Sequence, residues 1–137
     1  MLDQILNAST MDYLSRGMSA ANLRHEVISN NIANVNTPKF KKSDVVFESL
    51  LAKEMGLDKK LGLEMVRTHD RHLPIPMRER AEATVVMDES TTMRTDKNNV
   101  DIDKEMANMA KNQIYYNAMT KEMGSFIQKL KTTITSK

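Results

Sequence analysis

"ISNNIANVNTPKFKK", residues 28 to 42, decides how the chain is read. Ile28, Ile32 and Val35 keep helical spacing, while Asn30, Asn31, Asn34 and Asn36 crowd between and beyond them. Asparagine is a mediocre helix former, because its carboxamide competes with the backbone for hydrogen bonds. Pro38 disfavours helical geometry at Thr37, so the helix is expected to stop near Asn36. Carboxamides both donate and accept, so Asn30, Asn31 and Asn34, on roughly one flank, suit a helical interface whose register they fix. The alternative is a helix C-terminus where Asn is simply tolerated, and residue physics weighs the two equally.

Upstream of that stretch, Met11, Leu14, Met18, Ala21, Ile28, Ile32 and Val35 recur at threes and fours, with His25 on the one skipped step. That 3.5-residue repeat predicts a helix from about Ser9 to Asn36 offering a narrow seam to partner helices. Ser9 or Thr10 suits its N-cap. A second helix is expected from about Asp101 to Ile134. Its stripe begins with Ile102, Met106 and Met109 and continues with Tyr116, Met119, Met123, Phe126 and Leu130. Asn112 or Gln113 interrupts that seam with a polar group of the kind that sets register. Asp101 suits its N-cap, Asp103 and Glu105 suit the positive end of its dipole, and Lys129, Lys131 and Lys137 the negative end. Gly124 costs about 1 kcal/mol against Ala inside a helix, which close approach of another helix would explain.

The middle of the chain has no sustained period. Residues 45 to 57 suit a short helix, Leu73-Pro74-Ile75-Pro76 an extended segment, Ala83 to Met87 a short strand and 88 to 99 a polar loop. The expected organisation is an N-terminal helix (1–38), an irregular middle (39–98) and a C-terminal helix (99–137). The fold class is mainly α: two long terminal helices packing as a coiled-coil-like hairpin in a helical assembly. The narrow seams offer too little burial to complete a core alone, so the ends are expected to fray in the monomer and order on assembly.

Composition narrows the function. The 137 residues are 40% hydrophobic but only 4% aromatic, with no Trp and twelve Met, whose unbranched thioethers adapt to varied partners. A net charge of +2 is too small for a nucleic-acid binder. The lack of Cys removes disulfides, thiolate chemistry and Cys-ligated zinc. The opening MLDQILNASTMDYL has neither the basic region nor the apolar run of a cleaved secretory signal. No apolar run reaches membrane-spanning length.

Chemistry has few candidates. His69-Asp70-Arg71-His72 pairs two imidazoles with a carboxylate, but Pro74 follows and neither an HExxH pattern nor a third ligand accompanies them. Asp96 to Asp101 is faintly like a calcium loop, yet Asp101 replaces its glycine and Ala107 its bidentate Glu. Lys39-Phe40-Lys41-Lys42 reads as a solvated turn rather than a phosphate-binding patch. No nucleophile elbow or phosphate loop occurs, so no enzyme, cofactor, metal or small-molecule substrate is expected.

Asn30-Asn31-Ile32-Ala33-Asn34-Val35-Asn36-Thr37-Pro38, followed by Phe40, resembles the N-terminal signature of bacterial flagellar basal-body rod and hook proteins, roughly N-N-x-A-N-x-x-T-P-G-(F/Y). The resemblance covers most of residues 1 to 50. It returns from Asn98 to Thr133, where Asn99 to Met106 and Tyr116-Asn117-Ala118 are similar to the family's C-terminal segment. The short length sets aside the hook and distal-rod members. Thr68 to Pro74 and the Val-Asp-x-Asp helix start look most like the proximal rod type B, with type C as the alternative. Lys39 and Lys97 stand where the family usually has Gly, so a left-handed turn at Lys39 is expected to be strained or absent.

The resemblance implies a structural subunit exported without a cleaved signal through the flagellar type III apparatus. Its helices would stack with copies of itself and other rod proteins into the torque-transmitting axle that crosses the periplasm. At the rod base it would meet the membrane-embedded ring and the export gate's junction protein. The implied assembly interface comprises Met11, Leu14, Met18, Ala21, Ile28, Asn30, Asn31, Ile32, Asn34, Val35, Thr37 and Pro38 on the first helix and its turn. On the second it comprises Met106, Met109, Tyr116, Met119, Met123, Phe126 and Leu130. The competing classes are a coiled-coil adaptor or export chaperone and, more remotely, a small metal hydrolase.

Overall fold

The computed structural model describes residues 9–55, 80–90 and 95–135. Five elements follow in order: α1 (Ser9–Ala33), β1 (Ser43–Val46), α2 (Glu48–Glu54), β2 (Thr84–Met87) and α3 (Ile102–Thr135). The mainly helical expectation holds, as do the two long helices and the short strand and helix between them. The 83–87 stretch is a strand over Thr84–Met87, whereas the 45–57 stretch divides into the end of β1 and then α2. The Leu73–Pro76 segment and the His69/His72 candidate lie outside the described residues.

α1 stops at Ala33, three residues before the expected end. From there the backbone tightens: Asn34 N–H is shared between Asn30 O and Asn31 O, Val35 N–H donates to Ile32 O, and Thr37 N–H to Asn34 O. At its other junction α3 starts as the sequence predicts. Asp101 Oδ1 accepts from the backbone N–H groups of Asp103 and Lys104 at 3.1 and 3.3 Å, satisfying donors with no partner inside the helix. The Lys104 amide is the main reason the Asp101 carboxyl sits below the usual carboxylate range.

The long helices run antiparallel, as three contacts show. Asn31 meets Glu105, Ala21 meets Asn112, and Gly17 meets Met119, so one number falls as the other rises. Extending that pairing puts Ser9 opposite Ile127, and residues 128–135 of α3 pass beyond the described length of α1.

The seam on α3 is a heptad: Glu105, Met109, Asn112, Tyr116, Met119, Met123, Phe126 and Leu130 are all buried or half-buried. Met106, expected on it, is instead 54% exposed, and Glu105 takes the place. On α1 the seam is Leu14, Gly17, Ala21, Arg24, Ile28, Asn31 and Val35, none of them exposed. Met18 and Ile32, half-buried, sit one step off it, beside Gly17 and Asn31. The cause is the middle segment. β1 packs on one flank of α1 and draws the buried strip round by about one residue. Small side chains then let α3 approach: a Cβ at Gly17 would lie 2.9 Å from Met119 Sδ.

β1 and β2 pair antiparallel from Ser43↔Met87 to Val46↔Thr84. Val45 and Phe47 are buried, whereas every residue of β2 is exposed. The enclosed apolar residues are small or few: Ala20, Ala21, Ile28, Val45, Phe47, Ala81 and Val100. Asn31, Asn98, Asn99, Glu105 and Asn112 are buried with them, and the three largest fully enclosed side chains among the described residues are all asparagines. Amides hold this core together where apolar bulk is scarce.

Candidate assembly interface

Asn98 is fully enclosed and stands at the C-terminus of α1. Its amide donates to Asn34 O at 3.0 Å, Val35 O at 3.1 Å and Thr37 O at 2.9 Å, while its Oδ1 accepts from Val100 N–H at 2.7 Å. A helix end leaves carbonyls without intrahelical partners, and one side chain gathers them here. Two backbone turns bring it into place, at Lys39 (φ 62) and Lys97 (φ 66), where Lys39 N–H donates to Asp96 O at 2.9 Å. The left-handed turn at Lys39 is thus present, held by this bonding despite the side chain.

Asn31 plays a strand-like part. Its Nδ2 donates to Ser43 O at 2.8 Å and its Oδ1 accepts from Ser43 N–H at 3.0 Å, so it occupies β1 at the residue where β1 begins. The second Nδ2 hydrogen reaches Glu105 Oε2 at 3.0 Å. Asn99 closes the ladder's end, accepting from Lys42 N–H at 2.7 Å and donating to Asp88 O at 2.8 Å. Asn34 donates to Asn30 O and Asn30 Oδ1, and Thr37 Oγ1 donates to Asn34 Oδ1. The register these carboxamides fix is therefore that of the chain's own parts: Asn31 has spent both donors inside the molecule.

Two arginines of α1 hold α2 against it. Arg16 donates to Glu54 Oε2 and Oε1 at 2.8 and 2.9 Å and to Ala81 O at 3.0 Å; Arg24 donates to Glu48 at 2.6 and 2.7 Å and to Val45 O at 3.0 Å. Each planar fork meets one carboxylate in two-pronged fashion and has a hydrogen left for a carbonyl. The Arg16 bonds, with a further one from Ala81 N–H, lower the Glu54 carboxyl from 4.5 to about 2. Arg24 likewise holds Glu48 below its ordinary value.

The other residues named from sequence divide by exposure. Ala21 and Ile28 are buried between the helices. Met11, Leu14, Met18, Ile32, Val35, Met109, Tyr116, Met119, Met123, Phe126 and Leu130 are half-buried, while Asn30, Thr37 and Pro38 are exposed. Sequence reasoning missed Gly17, Arg16, Arg24, Asn98, Asn99 and Glu105. Further apolar surface lies along α3, where Ile102, Ile114, Tyr115, Ile127 and Ile134 are 45% to 69% exposed. Beside it, α1, α3, β1 and α2 enclose a groove of ≈ 870 Å³.

The flank of α1 and its asparagine-rich turn are also where a family model matches, that of the flagella basal body rod protein, over residues 11–41. Whole-chain similarity goes further. A flagellar basal body rod protein FlgB of Bacillus subtilis (strain 168) is 35% identical over 130 residues, 95% of this chain and 96% of that one. The chain belongs to the flagellar basal body rod protein family, FlgB type. A FlgB of Borreliella burgdorferi is 34% identical across 88% of this chain and 92% of its own, and one of Proteus mirabilis 36% across 86% of each. Between the two proximal types raised by the sequence, these relatives favour type B. For this FlgB-type chain, no helix among the described residues is long and apolar enough to cross a membrane.

Proposed function

We propose that the chain is a structural subunit of the proximal flagellar rod, placed in the basal body and assembled with other rod components through α1 and α3. The observation that carries this reading is a division of labour on the helices. Buried carboxamides lock the chain to itself, while the remaining apolar side chains, from Met11 and Met18 to Ile114 and Ile134, stay half or mostly uncovered. A monomer with so much unsatisfied helix surface suits packing among neighbouring helices, because the area left open is what a neighbour removes from water.

On this reading the interface comprises the half-buried flank of Met11, Met18 and Ile32 with the outer face of α3. Neighbours are copies of the chain, other rod proteins and, at the rod base, the membrane ring and the export gate's junction protein. The chain reaches the periplasm through the flagellar type III apparatus without losing a signal peptide, and its role is mechanical rather than catalytic. The test is deletion of the chain followed by analysis of purified basal bodies. Loss of motility, with basal bodies that stop at the ring, is the expected result. Complete rods without the chain, and normal swimming, would reject the proposal.

A further inference from the structure

β1 and β2 form a sheet with one closed edge and one open edge. On the outer side of β1, Asn31 takes both backbone groups of Ser43, Arg24 donates to Val45 O, and Asp44 Oδ1 accepts from Val45 N–H. Side chains of the same molecule therefore occupy that edge. Asp88 N–H donates to Lys42 O at 2.9 Å, which fixes the phase of the ladder. Bonded positions alternate in an antiparallel pair, so Asp44 bonds Val86 and Val46 bonds Thr84. The N–H and C=O groups of Val85 and Met87 then point away from β1, where they have no hydrogen bond among the described residues.

Exposed edges are ordinarily blunted by a charge, a proline or a bulge, because they template pairing with another chain. Thr84–Met87 has none of these, and Val85, Val86 and Met87 are 46%, 49% and 57% exposed. Backbone donors and acceptors repeated at every second residue are met together only by another extended backbone. The ends of the strand narrow the choice of chain. Glu82 and Glu89 flank it, exposed and without ion pairs among the described residues. A second copy of β2, paired antiparallel through Val85 and Met87, would set Glu82 beside the copy's Glu89 at each end. Like charges across a ladder oppose such pairing. We infer that the open edge of β2 takes an extended segment of another protein, apolar at its centre and carrying Lys or Arg at both ends, as far apart as Glu82 and Glu89. This edge is separate from the helical faces given to rod packing, and the inference does not rest on that reading.

The probe is the peptide acetyl-Lys-Val-Thr-Val-Thr-Val-Thr-Lys-amide, added to the full chain and followed by NMR hydrogen exchange. A few net hydrogen bonds and a small apolar area put its affinity on the order of millimolar. At that concentration the Val85 and Met87 amides should exchange at least about tenfold more slowly, because the peptide's carbonyls now hold them. The same peptide N-methylated at every residue between its lysines should give no slowing. A version with Glu at both ends should bind at least several-fold more weakly. Met87→Pro removes one outward donor and none of the β1–β2 bonds, so it should weaken binding about tenfold while the Asp44–Val86 pairing persists. The inference is overturned if neither amide slows, or if the N-methylated or Glu-ended peptide does as well. It is also overturned if both amides are already slow without peptide in a dimer seen by ultracentrifugation, which would give the edge to a second copy.

Discussion

Replacing Asn98 tests the carboxamide wiring at its most connected point. Asn98→Ala removes an amide that serves three carbonyls at 2.9 to 3.1 Å, and the acceptor of Val100 N–H at 2.7 Å. Two amide hydrogens share the three carbonyls, so about three hydrogen bonds are lost. At about 1 kcal/mol net for each, the loss is about 3 kcal/mol. Thr37 O and Asn34 O keep the backbone donors Phe40 and Thr37, which limits the penalty of stranded acceptors. For a chain of this size that corresponds to a melting temperature lower by roughly 10 °C. Asn98→Asp preserves volume but points an oxygen at the same carbonyls, so it should be worse than Ala. Urea titration of the purified variants, followed by circular dichroism, reads both. A loss below about 1 kcal/mol for Ala, or an Asp variant as stable as the parent, would refute the reasoning.

Other expectations follow from strain, packing and charge. Lys39→Gly and Lys97→Gly relieve left-handed backbone worth about 1–2 kcal/mol each but loosen the unfolded chain by about 0.4–1, so each should stabilise by about 0.5–1 kcal/mol. Lys41→Gly, at ordinary backbone angles, should stabilise nothing, and thermal melts compare the three. Gly124→Ala meets no atom within 4 Å and should raise the isolated chain's stability by about 1 kcal/mol. Gly17→Val must displace Met119 and should cost about 1–3 kcal/mol by the same measurement. The Glu54 carboxyl has a folded value of about 2 against 4.5, so its contribution is complete above 4.5 and fades as pH falls towards 2. Glu54→Gln should flatten that part of the stability profile in urea titrations.

How much was legible in the sequence depended on the kind of signal. Heptad spacing located both long helices, and Asp101 marked the start of α3 because its capping role is local. The phase of the seams was less readable. Apolar side chains nominated Met18, Ile32 and Met106, whereas the steps between the helices belong to Gly17, which meets Met119, and to the buried Asn31 and Glu105. Hydrophobic patterning cannot see a helix contact made through a missing side chain, nor a carboxamide buried because it replaces a strand's hydrogen bonds. The asparagines were noticed, but their partners, Ser43, Glu105 and Asn98, are 12 to 74 residues away. Arg16 and Arg24 carry no pattern at all before α2 is placed against α1. The Lys39 turn was expected to be strained or absent; it forms because Asp96 and Asn98 tie both of its sides.

The central claim is that the buried asparagines hold the solitary chain together and leave the thioether and isoleucine surface for neighbours. Hydrogen exchange of the asparagine side-chain amides, followed by NMR on dilute monomer, tests it residue by residue. The account predicts slow exchange at Asn31, Asn98, Asn99 and Asn112, and fast exchange at the exposed Asn36 and Asn117. Uniformly fast exchange at all six would mean that these amides find their partners only in the polymer, and would contradict it.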